Sequence, residues 1–291
     1  TSDTRAALET AGIDPANKPD LRSLHFVQID EFYPIHSSQQ NSFYSYVNKF
    51  YIKGLALDPA KALLINCAEI GLSPDQTLES VWPDMCVDLG LRTHHATTDL
   101  QKTQQLVLRR IDQWCQEYEE RIRALGGIGF FLGGIGPDGH IGFNIRGSDH
   151  FSTTRLMATN YETQASAASD LGGLEVARNR LVITIGLGTI TFNPQCTAII
   201  MAAGEAKAGV VADAVQGPTS VLTPATALRS LGNARFYVTM GAARGLRERQ
   251  VRLIMRSNPV SDEQVETALV DLAIARGKRI LDLSDEDIRG D

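Results

Sequence analysis

The sequence has no run approaching the ~18–20 consecutive apolar residues that a membrane-spanning helix requires. Its first residues, TSDTRAALET, lack the basic-then-apolar layout of a secretory leader. It also has no basic excess: 28 Lys and Arg stand against 34 Asp and Glu, a formal net charge of −6. A nucleic-acid surface would show as a clustered basic face, so that partner class is not expected. Cysteine is scarce. Cys67, Cys86, Cys115 and Cys196 lie far apart with no CxxC pair, which argues against a disulfide framework or a thiolate metal site. Each sits in or beside an apolar stretch and reads as a buried reduced thiol, in keeping with a cytoplasmic protein. No internal repeat and no low-complexity linker breaks the chain.

What is present is a 291-residue chain with 43% hydrophobic content, enough for one large core. Short apolar runs read as strands at His25–Ile29, Ala62–Asn66, Ile128–Leu132, Leu181–Ile185, Thr197–Met201 and Arg235–Thr239. Several are apolar almost throughout, as strands covered on both faces are. Helical periodicity lies between them. Phe43, Tyr46, Val47 and Phe50 recur at i, i+3, i+4, i+7, and a long face runs from Val107 through Ile111, Cys115, Tyr118 and Ile122 to Leu125. Ser261 followed by Gln264 predicts a capping box for a C-terminal helix. Alternating strands and helices predict an α/β fold with a mainly parallel sheet.

In such sheets ligands gather at the carboxyl ends of strands, and Ile128–Leu132 runs straight into Gly133-Gly134-Ile135-Gly136-Pro137-Asp138-Gly139-His140. Three functional readings and one structural reading compete for this loop. Gly134 to Gly139 matches the G-x-G-x-x-G dinucleotide pattern, yet it lies late in the chain, and Asp138 would bring a carboxylate to where a pyrophosphate should sit. Asp138, His140 and Asn144 could ligate a metal, but no second His or Cys stands at ligand spacing. Acid–base chemistry is the third reading. An Asp two residues from a His can orient the imidazole and fix its tautomer, and histidine exchanges protons near neutrality. The glycines let substrate oxygens approach backbone N–H groups. The structural alternative is a turn carrying a satisfied histidine, which leaves two further glycines and a polar flank to explain.

GGIGPDGHIGFN (133–144) followed by GSDHFSTTRL (147–156) resembles the signature of glucosamine-6-phosphate deaminases. Phe26 to Tyr33 is similar to that family's strand ending in Asp-Glu-Tyr, and Asn41-Ser42-Phe43-Tyr44 to the opening of its next helix. Leu181–Thr189 with Gly204-Glu205-Ala206-Lys207 is similar to its later glycine turn and lysine. The resemblance runs in order from about residue 24 to about 245. 6-Phosphogluconolactonases share a G-x-G-x-DGH loop, but their histidine is followed by Ser-Leu-Phe-Pro, whereas Ile141-Gly142-Phe143-Asn144 follows here.

The resemblance implies a three-layer, Rossmann-like, mainly parallel sheet with helices on both faces. It further implies conversion of glucosamine 6-phosphate to fructose 6-phosphate and ammonia without a cofactor. By position His140 would open the sugar ring, Asp138 would support it, and Asp30 would be the enolising base. Gly134, Gly136, Asn144 and Lys207 would bind substrate, with Lys207 on the phosphate. Without the family, Asp30-Glu31 reads as a solvated strand end and Lys207 as a surface lysine.

The departures are equally specific. Ile145 stands where the family has a glutamate that assists ring opening; Asp149, Glu162 or Glu31 are candidate substitutes. A second phosphate-binding arginine would fall near Ser169, in a segment with no basic residue. Ser148-Asp149 and Arg155-Leu156-Met157 lack the hydroxyl and ammonium of the family's allosteric phosphate site. Residues 1–24 contain no LPTGGTP-like loop, so the family's first strand–helix units are expected to be missing, and the wording resembles long bacterial variants with a second catalytic domain.

The expectation is therefore a deaminase-like domain over 1–256, with 257–291 a peripheral helix or a connection to a further domain. Its partner would be a small phosphosugar, with neither nucleic acid nor membrane. The apolar helix faces leave homo-oligomerisation and a covalently linked second domain open. The alternatives are a non-catalytic sugar-phosphate sensor or scaffold, and a lactone hydrolase with His140 as base.

Overall fold

The computed structural model describes residues 10, 12, 14, 20–171, 173, 177–256 and 259–289. The expected absence of an N-terminal strand falls largely on residues 1–19, most of which lie outside the described residues; of the expected C-terminal connection over 257–291, residues 257, 258, 290 and 291 lie outside them. The chain falls into two compact units, Thr1–Met201 with Pro218–Tyr237, and Ala202–Gly217 with Val238–Asp291.

In the first unit, strand β1 (Phe26–Val27) leads within three residues into β2 (Asp30–Tyr33), followed by helix α1 (Phe43–Val47) and a π turn to Ile52. β3 (Ala62–Leu63) pairs in parallel with β1. The long helix α2 (Asp99–Ala124) opens where Thr98 and Gln101 cap each other and buries Val107, Leu108, Ile111, Cys115, Tyr118 and Ile122. That one-sided stripe is what the spacing predicted. The helix ends at Gly126 and Gly127, whose φ angles of +89° and +83° suit glycine. The Tyr118 hydroxyl fixes it to the sheet, lying 2.8 Å from the carbonyl oxygen of Gln28 and 2.9 Å from that of Leu63.

β4 (Phe130–Gly134) pairs in parallel with β7 (Thr197–Ala202), which neighbours β8 (Asn233–Val238). Between β4 and β7 the chain forms β5 (Arg155–Ala158), helix α3 (Tyr161–Leu171), β6 (Leu181–Thr184) and helix α4 (Leu187–Thr191). β6 lies between β2 and β5, antiparallel to both, with Thr184 opposite Asp30 and Arg155. The α/β class and the parallel pairs agree with the sequence. The antiparallel sheet corrects the expectation for this part: β5 holds one buried side chain, Leu156, and offers no apolar run to read.

The second unit contains α5 (Ala208–Gln216), α6 (Arg247–Arg256) and α7 (Asp262–Arg276). α7 has the predicted Ser261/Gln264 box and stops at Gly277, in left-handed conformation at φ +62°. Cys67, Cys115 and Cys196 are buried, but Cys86 is exposed, contrary to the reading of all four as buried. It lies between Met85 and Val87 in irregular chain, with its Sγ 3.2 Å from the carbonyl oxygen of Asp84. Among the described residues, no helix is long and apolar enough to cross a membrane.

Candidate active site

The loop after β4 is built around close approaches. Ile135, Ile141 and Phe143 are buried and anchor it, while the residues between turn back on themselves. Gly136 N–H donates to His140 O (2.9 Å), Gly139 N–H donates to Gly136 O (3.1 Å), and Gly139 has a φ of +83°. A Cβ on Gly136 would fall 2.0–2.2 Å from three atoms of the His140 ring, so the glycine is what lets the imidazole lie where it does. Ala225 N–H donates to Gly139 O at 2.8 Å and ties the turn to the Pro224–Ser230 segment.

The His140 ring lies nearly parallel to Phe143, at 17°, and its Nδ1 is 2.5 Å from Asp138 Oδ1. The Asp138 side chain is only 2% exposed, against 15% for His140, so the histidine is the part of the pair that reaches outward. Asp138 Oδ2 accepts from Asn160 Nδ2 (2.7 Å) and from the backbone N–H of Arg146 (3.1 Å). Burial alone would raise this carboxyl. The bond to His140, the Arg146 N–H and the Asn160 amide together outweigh it and hold Asp138 below the usual carboxylate range.

Asp30 is held in the opposite way. It lies just past the carboxyl end of β1 and opens β2, partly buried, and among the described residues no donor reaches its carboxylate. Desolvation, and then the charge of Glu31, push its pKa up to about 7. Asp30 and the glycine loop are neighbours: a Cβ on Gly142 would fall 3.7 Å from Asp30 Oδ2 and 3.2 Å from Thr184 Oγ1. Gly142 has a φ of +58°.

Glu31 is not the solvated strand end that composition suggested. It is fully buried and accepts from Ser42 Oγ (2.7 Å) and from the N–H groups of Tyr44 (2.7 Å), Phe32 (2.9 Å) and Phe43 (3.1 Å). It fastens the start of α1 to β2. Burial raises its pKa, against which those bonds act.

Asn144, expected on substrate, is fully buried and committed to the protein. Its Nδ2 donates to Ile141 O and Ile185 O, both at 2.9 Å, and its Oδ1 accepts from Arg155 at 2.9 Å. Gly134 ends β4 opposite Met201, with room for a side chain. Lys207 belongs to the second unit, half-buried on the turn Glu205–Lys207 that leads into α5. An ion pair between Arg244 and Glu205 and a bond from Gly204 N–H to Thr239 Oγ1 (3.1 Å) brace that turn.

Of the three candidates to replace the glutamate at Ile145, Glu31 has four protein donors. Asp149 is exposed and accepts from Phe151 N–H at 2.8 Å, and Glu162 is exposed on α3. None of the three is hydrogen-bonded to His140. Sequence reading missed Asn160. Its signal was local: an Asn immediately before the helical stretch YETQ is a preferred N-cap, and Thr163 N–H does donate to Asn160 Oδ1 at 3.0 Å. Among the described residues, no cluster of three or more His, Cys, Asp or Glu is arranged around a metal position.

No family model matches the chain. It is 40% identical over 149 residues to the glucosamine-6-phosphate deaminase of Corynebacterium urealyticum, covering 51% of this chain and 57% of that protein. It is 33% identical over 177 residues to a glucosamine-6-phosphate deaminase-like protein of Bacteroides thetaiotaomicron, covering 61% of this chain and 26% of that one. The chain thus spans from about a quarter to just over half of the length of these relatives. In structure it is similar to a monomeric glucosamine-6-phosphate deaminase of the NagB superfamily, with a TM-score of 0.59 at 20% identity over 84% of this chain and 81% of the other.

Proposed function

We propose that this relative of the glucosamine-6-phosphate deaminases acts on glucosamine 6-phosphate, isomerising it to the ketose and releasing ammonia. The observation that carries the reading is a glycine loop that holds His140 and lies, at Gly142, against Asp30 of β2, two acid–base groups of different character. His140, oriented by a carboxylate held ionised, can shuttle a proton as the sugar ring opens. Asp30, whose carboxyl titrates near neutrality, can take a proton from C2 of the open chain and return it at C1. The two aspartates beside this loop, Asp138 held down and Asp30 held up, have pKa values driven apart by their surroundings, the usual mark of assigned acid and base roles.

Asn144 acts in this reading as a brace for the loop. The phosphate role of Lys207 rests on the resemblance alone, and a rise in KM in Lys207→Ala tests it. Ammonia release from glucosamine 6-phosphate by the full-length protein is the deciding assay. Turnover at least ~100-fold above an Asp30→Asn control is expected; equal rates would overturn the enzyme reading and favour a sensor or scaffold. Ile145 supports one second reading, since an Asp–His pair needs no carboxylate at position 145 to activate water against a lactone. Hydrolysis of 6-phosphogluconolactone that vanishes in His140→Ala would favour it.

A further inference from the structure

We infer that Asn160 is a positioning residue of this site, setting which nitrogen of His140 is free to accept a proton; the catalytic consequence rests on the function proposed above. The direction of each hydrogen bond around Asp138 decides the matter. Asn160 is the N-cap of α3: its Oδ1 accepts from Thr163 N–H at 3.0 Å, and its backbone carbonyl accepts from Gln164 N–H at 2.9 Å. With Oδ1 committed to a donor, the other end of the amide must be the NH2, and it points at Asp138 Oδ2 from 2.7 Å. An amide in that setting cannot flip without losing the cap.

Arg146 contributes only its backbone N–H to the same oxygen, at 3.1 Å, and a backbone N–H can never accept. Asp138 Oδ2 therefore faces two obligatory donors and has no partner for a proton of its own. The one proton in the Asp138–His140 contact lies on the Oδ1 side, and because three donors hold Asp138 ionised it sits on Nδ1. Nε2 is left with the lone pair. Among the described residues, the titratable group hydrogen-bonded to Asp138 is His140, and α3 reaches the pair through the neutral side chain of Asn160.

Three variants separate this role from a merely structural one. Asn160→Ser keeps an N-cap oxygen but has no donor to reach Asp138. Asn160→Asp keeps the cap and sets a second carboxylate against the first. Asn160→Ala removes both functions. Ring 15N signals of His140, read across pH in the full chain, should give the Nδ1–H form in the parent protein. In Asn160→Ser both tautomers should appear, with kcat down between about 10- and 100-fold and KM within about threefold. In Asn160→Asp the pH midpoint of His140 should rise by about one unit, as an added anion favours the imidazolium.

The melting temperature of Asn160→Ser should stay close to the parent's, because Ser caps as well as Asn. An unchanged tautomer pattern in Asn160→Ser, with kcat within about twofold, would overturn the inference. Because the ring signals need no substrate, they also decide it if the parent chain releases no ammonia. In that case the function is rejected while the positioning role stands or falls on its own.

Discussion

Asp30 and Asp138 are the same residue type in the same unit, both withdrawn from solvent, and they are held in opposite protonation regimes. Asp138 has a histidine and two N–H donors around its carboxylate and stays ionised. Asp30 has burial and the neighbouring Glu31 charge but no donor among the described residues, and it titrates near neutrality. The difference shows that burial alone does not decide a carboxylate's state; at Asp138 the donors from His140, Arg146 and Asn160 outweigh it. Glu31 marks the limit of that rule, because its four donors oppose burial and burial still raises its pKa. Four donors make it a structural anchor for α1, while Asp30 is left open beside Gly142. Of the two, Asp30 is the one whose carboxylate has no protein donor among the described residues.

The largest expected effect comes from erasing that difference at Asp138. Asp138→Asn leaves the shape of the loop but replaces an acceptor-only group with an amide, which can offer its NH2 to Nδ1 and shift the ring proton to Nε2. For the corresponding change in a Ser-His-Asp triad the loss in kcat is about 10⁴-fold, and a loss of ~10³-fold or more is expected here. A smaller effect than that of Asp30→Asn would break the comparison, because it would mean that an ionised Asp138 is not required.

Next in size is Gly136→Ala. Glycine is needed there for space: the new methyl would fall 2.0 Å from His140 Cε1. The ring must swing away from Asp138, and a displacement of that order costs about 100-fold in kcat. Circular dichroism should remain that of the parent protein. If activity survives, the histidine does not work from the position it occupies here.

Much of this was legible in the sequence, and the remainder failed for identifiable reasons. The glycine loop, its Asp-Gly-His core and the long helix α2 were readable because each is a local pattern: glycines where backbones approach, and apolar residues at a helical period. The strand Phe130–Gly134 lies two residues later than the apolar run suggested, because pairing with β7 extends into Gly133 and Gly134, which carry no side-chain signal. β5 was invisible because its residues are mostly half-exposed and follow no alternating pattern. Asn144 looked like a ligand from its place in the motif; only the fold shows that Ile141, Ile185 and Arg155 occupy both ends of its amide. Asn160 and Asp138 are joined across 22 positions of chain, a partnership no local pattern encodes.

The smallest expected effect is also the sharpest test of Asp30. Its folded pKa of about 7 lies above the ordinary value of 3.8, so between those limits the folded chain keeps a proton that the unfolded chain has released. Stability from this group is therefore greatest below about pH 4, declines as pH rises through the window, and is lowest above about pH 7. Asp30→Asn removes the titration and should melt close to the parent at pH 4. At pH 8 it should be more stable by about 1–2 kcal/mol, allowing for the partial exposure of the side chain, or about 3–6 °C in Tm. Over the same window the parent's turnover should rise with pH, as an enolising carboxylate must be ionised to act, and the Asp30→Asn change should abolish that limb. A variant that is more stable yet inactive above about pH 7 is the signature of a charge retained for chemistry at a cost to the fold. Equal melting temperatures at pH 8 would instead mean that water or another donor satisfies Asp30, and that the two aspartates differ less than their surroundings imply.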